Sequence, residues 1–282
     1  MLNVKNITAI IIIYNEEIKI EDCLKTIHDF DQIIVIHDGE CSDRSLEIAS
    51  KYTDDIYVLP HKWACDEHRV FGLQNARNEW IMILDADEEI STELDWQLND
   101  LIDNDNVAIY ETLRPLRYKN INLPLTKRTL FRKSKVYFIW SIHEYIKLKD
   151  TSYTIKNISL EVTHNQWYNN FAWSTISWKY KRWAKVHANV LVNSRFEDIP
   201  KRNCDLKDRW YFEKVRIKYP ILLWILTSPI YLLNWVHRSI IKRNIYFIQW
   251  WFATTCYYIL LYYFVSEKKS LSNKKKLNET FS

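Results

Sequence analysis

The stretch Ile81–Thr92, IMILDADEEIST, ends an apolar run in four carboxylates, Asp85, Asp87, Glu88 and Glu89. Asp85 and Asp87 stand two apart, and on an extended backbone that spacing directs both side chains to one side of a strand. Two such carboxylates can hold a hard divalent cation, Mg2+ or Mn2+, whose coordination shell phosphate oxygens complete. The competing reading is an acidic turn capping a helix that starts at Ser91, where negative charge suits the helix dipole. A second reactive pair, His143-Glu144, lies in LTKRTLFRKSKVYFIWSIHEYIKL, a stretch that mixes basic residues with short strands and reads as the acceptor side of a site.

The elements that must position these groups are legible upstream. TAIIII is followed by a helical face of Ile20, Cys23, Leu24 and Ile27, then by IIVIH, then by a helix from Ser42; DIYVL and WIMIL supply two more strands. Continuously apolar strands are expected where both faces of a sheet are covered, so the pattern is βαβ and the sheet mostly parallel. Ligands of such a doubly wound sheet sit at the carboxyl ends of the strands. Polar clusters fall there, beginning at Tyr14, His37, Pro60 and Asp85.

Gly39 and Gly72 are the only glycines in the 282 residues, so neither glycine-rich phosphate loop can be present. Phosphate charge must then be met by a metal ion or by Arg and Lys side chains. The five cysteines are odd in number, widely spaced and free of a C-x-x-C pair, which argues against a disulfide framework and a zinc site. The N-terminal apolar run reads as a strand and not as a signal peptide.

Net charge is +4, with basic residues gathered after position 178, which suggests an anionic surface near the C-terminal part. Nine of the thirteen tryptophans lie at Trp167 or later, a bias that suits interfacial membrane contact. Residues 171–192 read as a helix carrying Lys179, Lys181, Arg182 and Lys185 among Trp173, Trp178 and Trp183. Two apolar segments follow, from Tyr219 and from Ile245, the second with 21 residues free of charge, enough for a bilayer crossing. Lys and Arg before, between and after them would all stay on the cytoplasmic side if the pair lay in one leaflet as a monotopic hairpin; two crossings are the alternative. Nothing in the sequence points to nucleic acid.

The segments IIIYNEEIKIEDCLKTI, IHDGECSDRS, WIMILDADEEI and IHEYI occur in the order and spacing of the family 2 glycosyltransferases with the GT-A fold. They resemble in particular the branch that includes the lipopolysaccharide core glucosyltransferases, where patterns like YNEE, DxxSxDxT, DWxLxLDADE and VHE recur. The resemblance covers roughly Ile7–Ile146 and reaches weakly into the C-terminal part, where such enzymes often carry a membrane-associating hairpin.

The resemblance implies that Tyr14 and Glu16 line the nucleotide pocket and that Asp38 accepts a hydrogen bond from the base. Arg69 would contact base or phosphate, Asp85 the ribose or the metal, and Asp87 the metal. Arg128 and Arg132 would neutralise the diphosphate; Glu144 would be the general base, with His143 a further metal ligand or an orienting partner. The sequence departs from the pattern in GECSD, which places Gly39 and Cys41 in the base pocket, and in HRV where the family tends to have Q-R-N around Arg69.

The resulting expectation is an α/β GT-A catalytic domain over 1–165, with a nucleotide-sugar half to about 115 and an acceptor half beyond it. A basic, aromatic helical connector over 166–200 and a hydrophobic helical hairpin with a basic tail over 201–282 complete the chain. The expected activity is inverting transfer from a nucleotide sugar, UDP-linked by preference, to a lipid-linked glycan such as lipopolysaccharide core, with Mg2+ or Mn2+ as cofactor. A polyprenyl phosphate or capsule intermediate as acceptor, and a catalytically silent scaffold, are the alternatives. The expected location is the cytoplasmic face of the plasma membrane.

Overall fold

The computed structural model describes residues 4–61, 66–91, 95–118, 121–123, 125–139 and 145–164. Further along it describes 174, 176–185, 188, 225–226, 229–230, 232–234, 236–237, 252 and 254–268. The chain divides into two compact units, Met1–Trp167 and Tyr168–Ser282.

The first unit is built on an eight-stranded mixed sheet of order β3-β2-β1-β4-β9-β6-β12-β5. Its strands are β1 (Val4–Ile13), β2 (Phe30–Asp38), β3 (Ile56–Leu59), β4 (Trp80–Asp85), β5 (Glu88–Ile90), β6 (Val107–Leu113), β9 (Thr126–Arg132) and β12 (Thr154–His164). Two short ribbons stand apart, β7 (Leu116–Tyr118) with β8 (Ile121–Leu123), and β10 (Val136–Ile139) with β11 (Tyr145–Leu148). The helices are α1 (Ile20–Thr26), α2 (Ser45–Ala49), α3 (Asp66–Asn75) and α4 (Asp95–Ile102).

The continuous isoleucines of β1 serve two cores. Ile7, Ala9, Ile11 and Ile13 face one side, where they meet Ile20, Cys23 and Leu24 of α1 and Leu98 and Ile102 of α4. Ile10 faces the other side, with Ile34, Ile36, Ala76, Val136 and Ile146. This is the period-2 alternation of an extended strand, and burying each isoleucine contributes about 1.5–3 kcal/mol. Gly72 lets α3 approach β1: a Cβ there would stand 2.7 Å from Ile10 Cγ2.

β1 pairs in parallel with both β2 and β4, and β2 with β3, which brings the carboxyl ends of β1, β2 and β4 to one edge. β9 then runs antiparallel between β4 and β6. Its register with β4 covers only Trp80, Ile81 and Met82, whereas β1 stays paired with β4 as far as Asp85. The two central strands therefore part company at the end where the carboxylates stand.

In the second unit, Ala184 and Ala188 pack against Tyr257, Leu261, Phe264 and Val265 of the helical residues 254–268. A π-helical turn, Ile176–Tyr180, precedes Ala184. Lys179 is buried and lies 4.7 Å from the Trp183 ring centroid, so this cation turns inward. Ile225, Leu226, Ile230, Leu233, Phe252, Ile259 and Tyr263 are exposed. No helix among the described residues is long and apolar enough to cross a membrane.

Candidate active site

The carboxylate-rich turn differs from the extended strand read from the sequence. β4 ends at Asp85, residues 86 and 87 turn, and Glu88–Ile90 form β5; the helix expected from Ser91 is described from Asp95, as α4. The three side chains then separate by role. Glu88 is fully buried, and a buried carboxylate demands charged and hydrogen-bonding partners. Lys127 Nζ stands 2.7 Å from Glu88 Oε2, Arg114 Nε donates to Glu88 Oε1, and the Asp85 N–H donates to Glu88 Oε2 at 2.9 Å. A side-chain oxygen thus takes up the β4 amide at the point where the pairing with β9 has run out.

Asp85 is looser, with a side chain 43% exposed. Its carboxylate is 3.4 Å from Lys127 Nζ, 3.7 Å from Arg69 Nη2 and 3.8 Å from Arg114 Nη2. Burial pushes its carboxyl up, but Lys127, Arg69, Arg114 and His164 together hold it well below the usual carboxylate range. Asp87 faces elsewhere: its Oδ2 lies 3.1 Å from His164 Nε2. That contact follows from the antiparallel β5–β12 pairing, which sets His164 opposite Glu88.

Glu16 closes the cluster from the turn after β1. Burial first, then the negative charges of Asp87, Asp43 and Asp85, raise its carboxyl from 4.5 to about 7. The backbone beside it is clamped: the Glu16 N–H donates to Ser45 Oγ and the Glu17 N–H to Asp43 Oδ2. Burial pushes Asp43 up, yet hydrogen bonds from Ser45, Glu17 and Cys41 prevail and bring it down to about 2. Asn15 adopts φ 55, a left-handed conformation that asparagine tolerates.

The end of β2 forms a histidine-rich wall. Asp38 is buried, with His68 Nε2 at 2.7 Å from Oδ1 and His61 Nδ1 at 3.0 Å from Oδ2. The Asn15 N–H donates to His37 Nε2, which leaves the proton on Nδ1 to reach the Gly39 carbonyl at 2.9 Å. Gly39 sits at φ 98, where a side chain would be strained and a Cβ would meet His61 Cβ at 3.0 Å. Tyr14 is half exposed, its ring 5.2 Å from that of His61.

Tyr14, Glu16, Asp38, Arg69, Asp85 and Asp87 are thus all carried by segments that meet at the carboxyl ends of β1, β2 and β4. Two expectations need correction. Arg132 pairs with Trp80 at the opposite end of β4, about 16 Å along the strand from Asp85 at the ordinary rise per residue. There it donates to the Ile102, Asn104 and Val107 carbonyls and covers the Trp80 ring at 4.6 Å, so it cannot meet a diphosphate at the carboxylate edge. Arg128 is engaged by Glu111 at 2.8 Å and by the Ile146 carbonyl, while its neighbour Lys127, on the alternate face of β9, reaches the carboxylates. His143 and Glu144 lie outside the described residues.

Sequence reasoning missed His164, Lys127, Arg114 and Asp43. Asp43 was within reach, being the S-D of GECSD next to a helix start. The others join the cluster through the β5–β12 pairing and through β6 and β9, and no local pattern announces it. Among the described residues no three His, Cys, Asp or Glu side chains converge as a complete metal cage.

A family model described as glycosyl transferase family 2 matches residues 8–184, more than half of the 282 residues. The chain belongs to glycosyl transferase family 2. A glycosyltransferase of Rickettsia bellii (strain RML369-C), described as uncharacterized, is 29% identical to this family 2 chain over 106 residues, 38% of the chain and 36% of the relative. SunS of Bacillus subtilis (strain 168), described as an SPbeta prophage-derived glycosyltransferase, is 34% identical over 90 residues, 31% of the chain and 21% of SunS. The chain therefore spans between 21% and 36% of the length of these relatives. Among solved structures, glucosyl-3-phosphoglycerate synthase from Mycobacterium tuberculosis in complex with phosphoglyceric acid overlays 66% of this chain and 79% of its own, with a TM-score of 0.48 and 14% identity. S. aureus TarS 1-349 in complex with UDP-GlcNAc overlays 69% and 68%, with a TM-score of 0.43 and 16% identity.

Proposed function

We propose that this family 2 chain is a metal-assisted, inverting glycosyltransferase that moves a sugar from a nucleotide-activated donor to a lipid-linked glycan, of the lipopolysaccharide core or a related cell-surface polymer. The observation that carries the reading is the Asp87–His164 pair beside Asp85, inside the span matched by the family.

The donor atoms fit a divalent ion. Two cis ligands of an octahedral Mg2+ or Mn2+, each about 2.1 Å away, lie about 3 Å apart, and Asp87 Oδ2 and His164 Nε2 are 3.1 Å apart. Carboxylate oxygen with imidazole nitrogen suits Mn2+ in particular. An ion held there would act as a Lewis acid on the leaving diphosphate. Asp85, Asp87 and Glu16 crowd negative charge into one place, which favours a cation and adds to the effect of burial in raising the Glu16 carboxyl. Tyr14 and the Asp38–His61–His68 wall provide an aromatic and hydrogen-bonding face for the base. Glu144, on the resemblance of its His-Glu pair, takes the proton from the acceptor hydroxyl, a contribution of about 10²-fold to 10⁴-fold.

A lipid-linked acceptor accords with the exposed apolar residues of the second unit and with exposed Lys181, Arg182 and Lys185. Apolar and basic groups on a helical surface suit an anionic membrane face, here the cytoplasmic leaflet, with monotopic attachment.

The test is nucleoside diphosphate release from a panel of nucleotide sugars by detergent-solubilised protein with Mn2+, with Mg2+ and with EDTA, in the presence of membrane lipid extract. Metal-dependent release that falls at least 100-fold in Asp87→Ala and His164→Ala is expected. Release indifferent to EDTA would overturn the metal assignment, and no release from any donor would overturn the transferase reading in favour of a silent scaffold.

A further inference from the structure

The cations around the DADE turn are held with unequal grip, and the inequality assigns them a task. Lys127 and Arg114 are fixed on Glu88, which is fully buried; neither can leave without stranding a buried charge. Their contacts to Asp85 are longer, 3.4 Å and 3.8 Å, and Asp85 is 43% exposed. Both side chains are thus permanent partners of Glu88 and exchangeable partners of Asp85. Arg69 also approaches Asp85, at 3.7 Å.

We propose that Lys127 and Arg114 are the side chains that meet the diphosphate of the donor, with Glu88 as the positioning residue that keeps them at the carboxyl end of β4. The inference rests on the glycosyl-transfer reading and deepens it. In this chain, which lacks a glycine-rich phosphate loop, phosphate oxygens need side-chain donors. Lys127 brings three N–H groups and Arg114 five in a planar fork. A cation on Asp87 and His164 would draw on Asp85 as well and weaken its pull on both basic groups, which turn to the phosphate oxygens while retaining Glu88. The arrangement is preorganised: the positive charge is already assembled, and binding exchanges one anionic partner for another.

The experiment is isothermal titration of the purified 282-residue chain in Mn2+ with UDP, GDP, dTDP and ADP, and then with the monophosphate and nucleoside of the diphosphate that binds best. Lys127→Met alone leaves Glu88 under-compensated and is liable to misfold, so Lys127→Met with Glu88→Gln, which removes one charge of each sign, is the main variant, with its thermal transition as a check on folding. The expected result is a roughly ten- to hundred-fold loss of diphosphate affinity, the range for hydrogen bonds to charged groups. Nucleoside affinity should hold within about twofold, and Lys127→Arg should retain most of the diphosphate affinity. A double variant that binds the diphosphate like the unmodified chain overturns the assignment and leaves the transferase reading standing. Equal losses for diphosphate and nucleoside also overturn it, in favour of a structural role. An unmodified chain that binds none of the four diphosphates overturns this inference and the transferase reading together.

Discussion

Burial first, and then the negative charges of Asp87, Asp43 and Asp85, push the Glu16 carboxyl up from 4.5 to about 7. Between those values the folded chain holds a proton that the unfolded chain has released, so the unfolding free energy falls as pH rises through the window. Glu16→Gln should therefore raise the metal-free melting temperature at pH 8, by an amount equivalent to about 1 kcal/mol after allowance for solvent screening, with the gain gone below about pH 4.5. Thermal unfolding across the pH range measures it, and an equal gain at pH 4 would contradict the cause given. Residues such as Glu16, Asp85 and Asp87 were legible because they are contiguous with apolar runs whose ends they mark. His164 was not, because its partner is fixed by strand register between segments far apart in the chain. Glu88 read as one more acidic residue of a turn, and only the three donors converging on it show that it faces inward.

The parallel strands β1, β2 and β4 were legible as elements because both faces of each are covered along runs rich in Ile, Val and Leu, whereas β3 is a partly exposed edge strand. The insertion of β9 between β4 and β6 was hidden, since KRTLFR only flanks a short apolar pair with basic residues, and neither the place nor the direction of a strand can be read from that. That antiparallel run is what places Arg132 at the wrong end and Lys127 at the right one. Arg132→Gln should cost about 1–2 kcal/mol of stability by urea unfolding, through loss of the Trp80 contact and of bonds to buried carbonyls. It should leave nucleoside diphosphate affinity unchanged; a tenfold loss would return the residue to the phosphate site. At the α3–β1 contact, Gly72→Ala forces a Cβ to 2.7 Å from Ile10 Cγ2. The gain in helix propensity does not offset such overpacking, so a net loss of about 1–2 kcal/mol is expected, less than additive with Ile10→Ala by chemical denaturation.

At the scale of the molecule, the family span ends within the second unit, whose 254–268 helical residues are divided between a buried face at Tyr257, Leu261, Phe264 and Val265 and exposed Ile259 and Tyr263. The run of 21 uncharged residues suggested lipid contact along its whole length; the packing assigns part of it to a protein core instead. Cosedimentation with phosphatidylglycerol vesicles should therefore occur but remain salt-sensitive, weakening as the screening length falls from about 10 Å at 0.1 M salt to about 3 Å at 1 M. Undiminished sedimentation at high salt would indicate deep insertion in place of surface attachment.

The charge cluster of the first unit ties β4 and β5 to β6 and β9 through a single carboxylate. The Asp85 amide hydrogen is held there by the Glu88 carboxylate. In heavy water its rate of isotope uptake follows the opening of that cluster rather than the fraying of the sheet. A mass-resolved peptide spanning the end of β4 would thus register the arrival of a ligand before its sugar, its acceptor or its product is known.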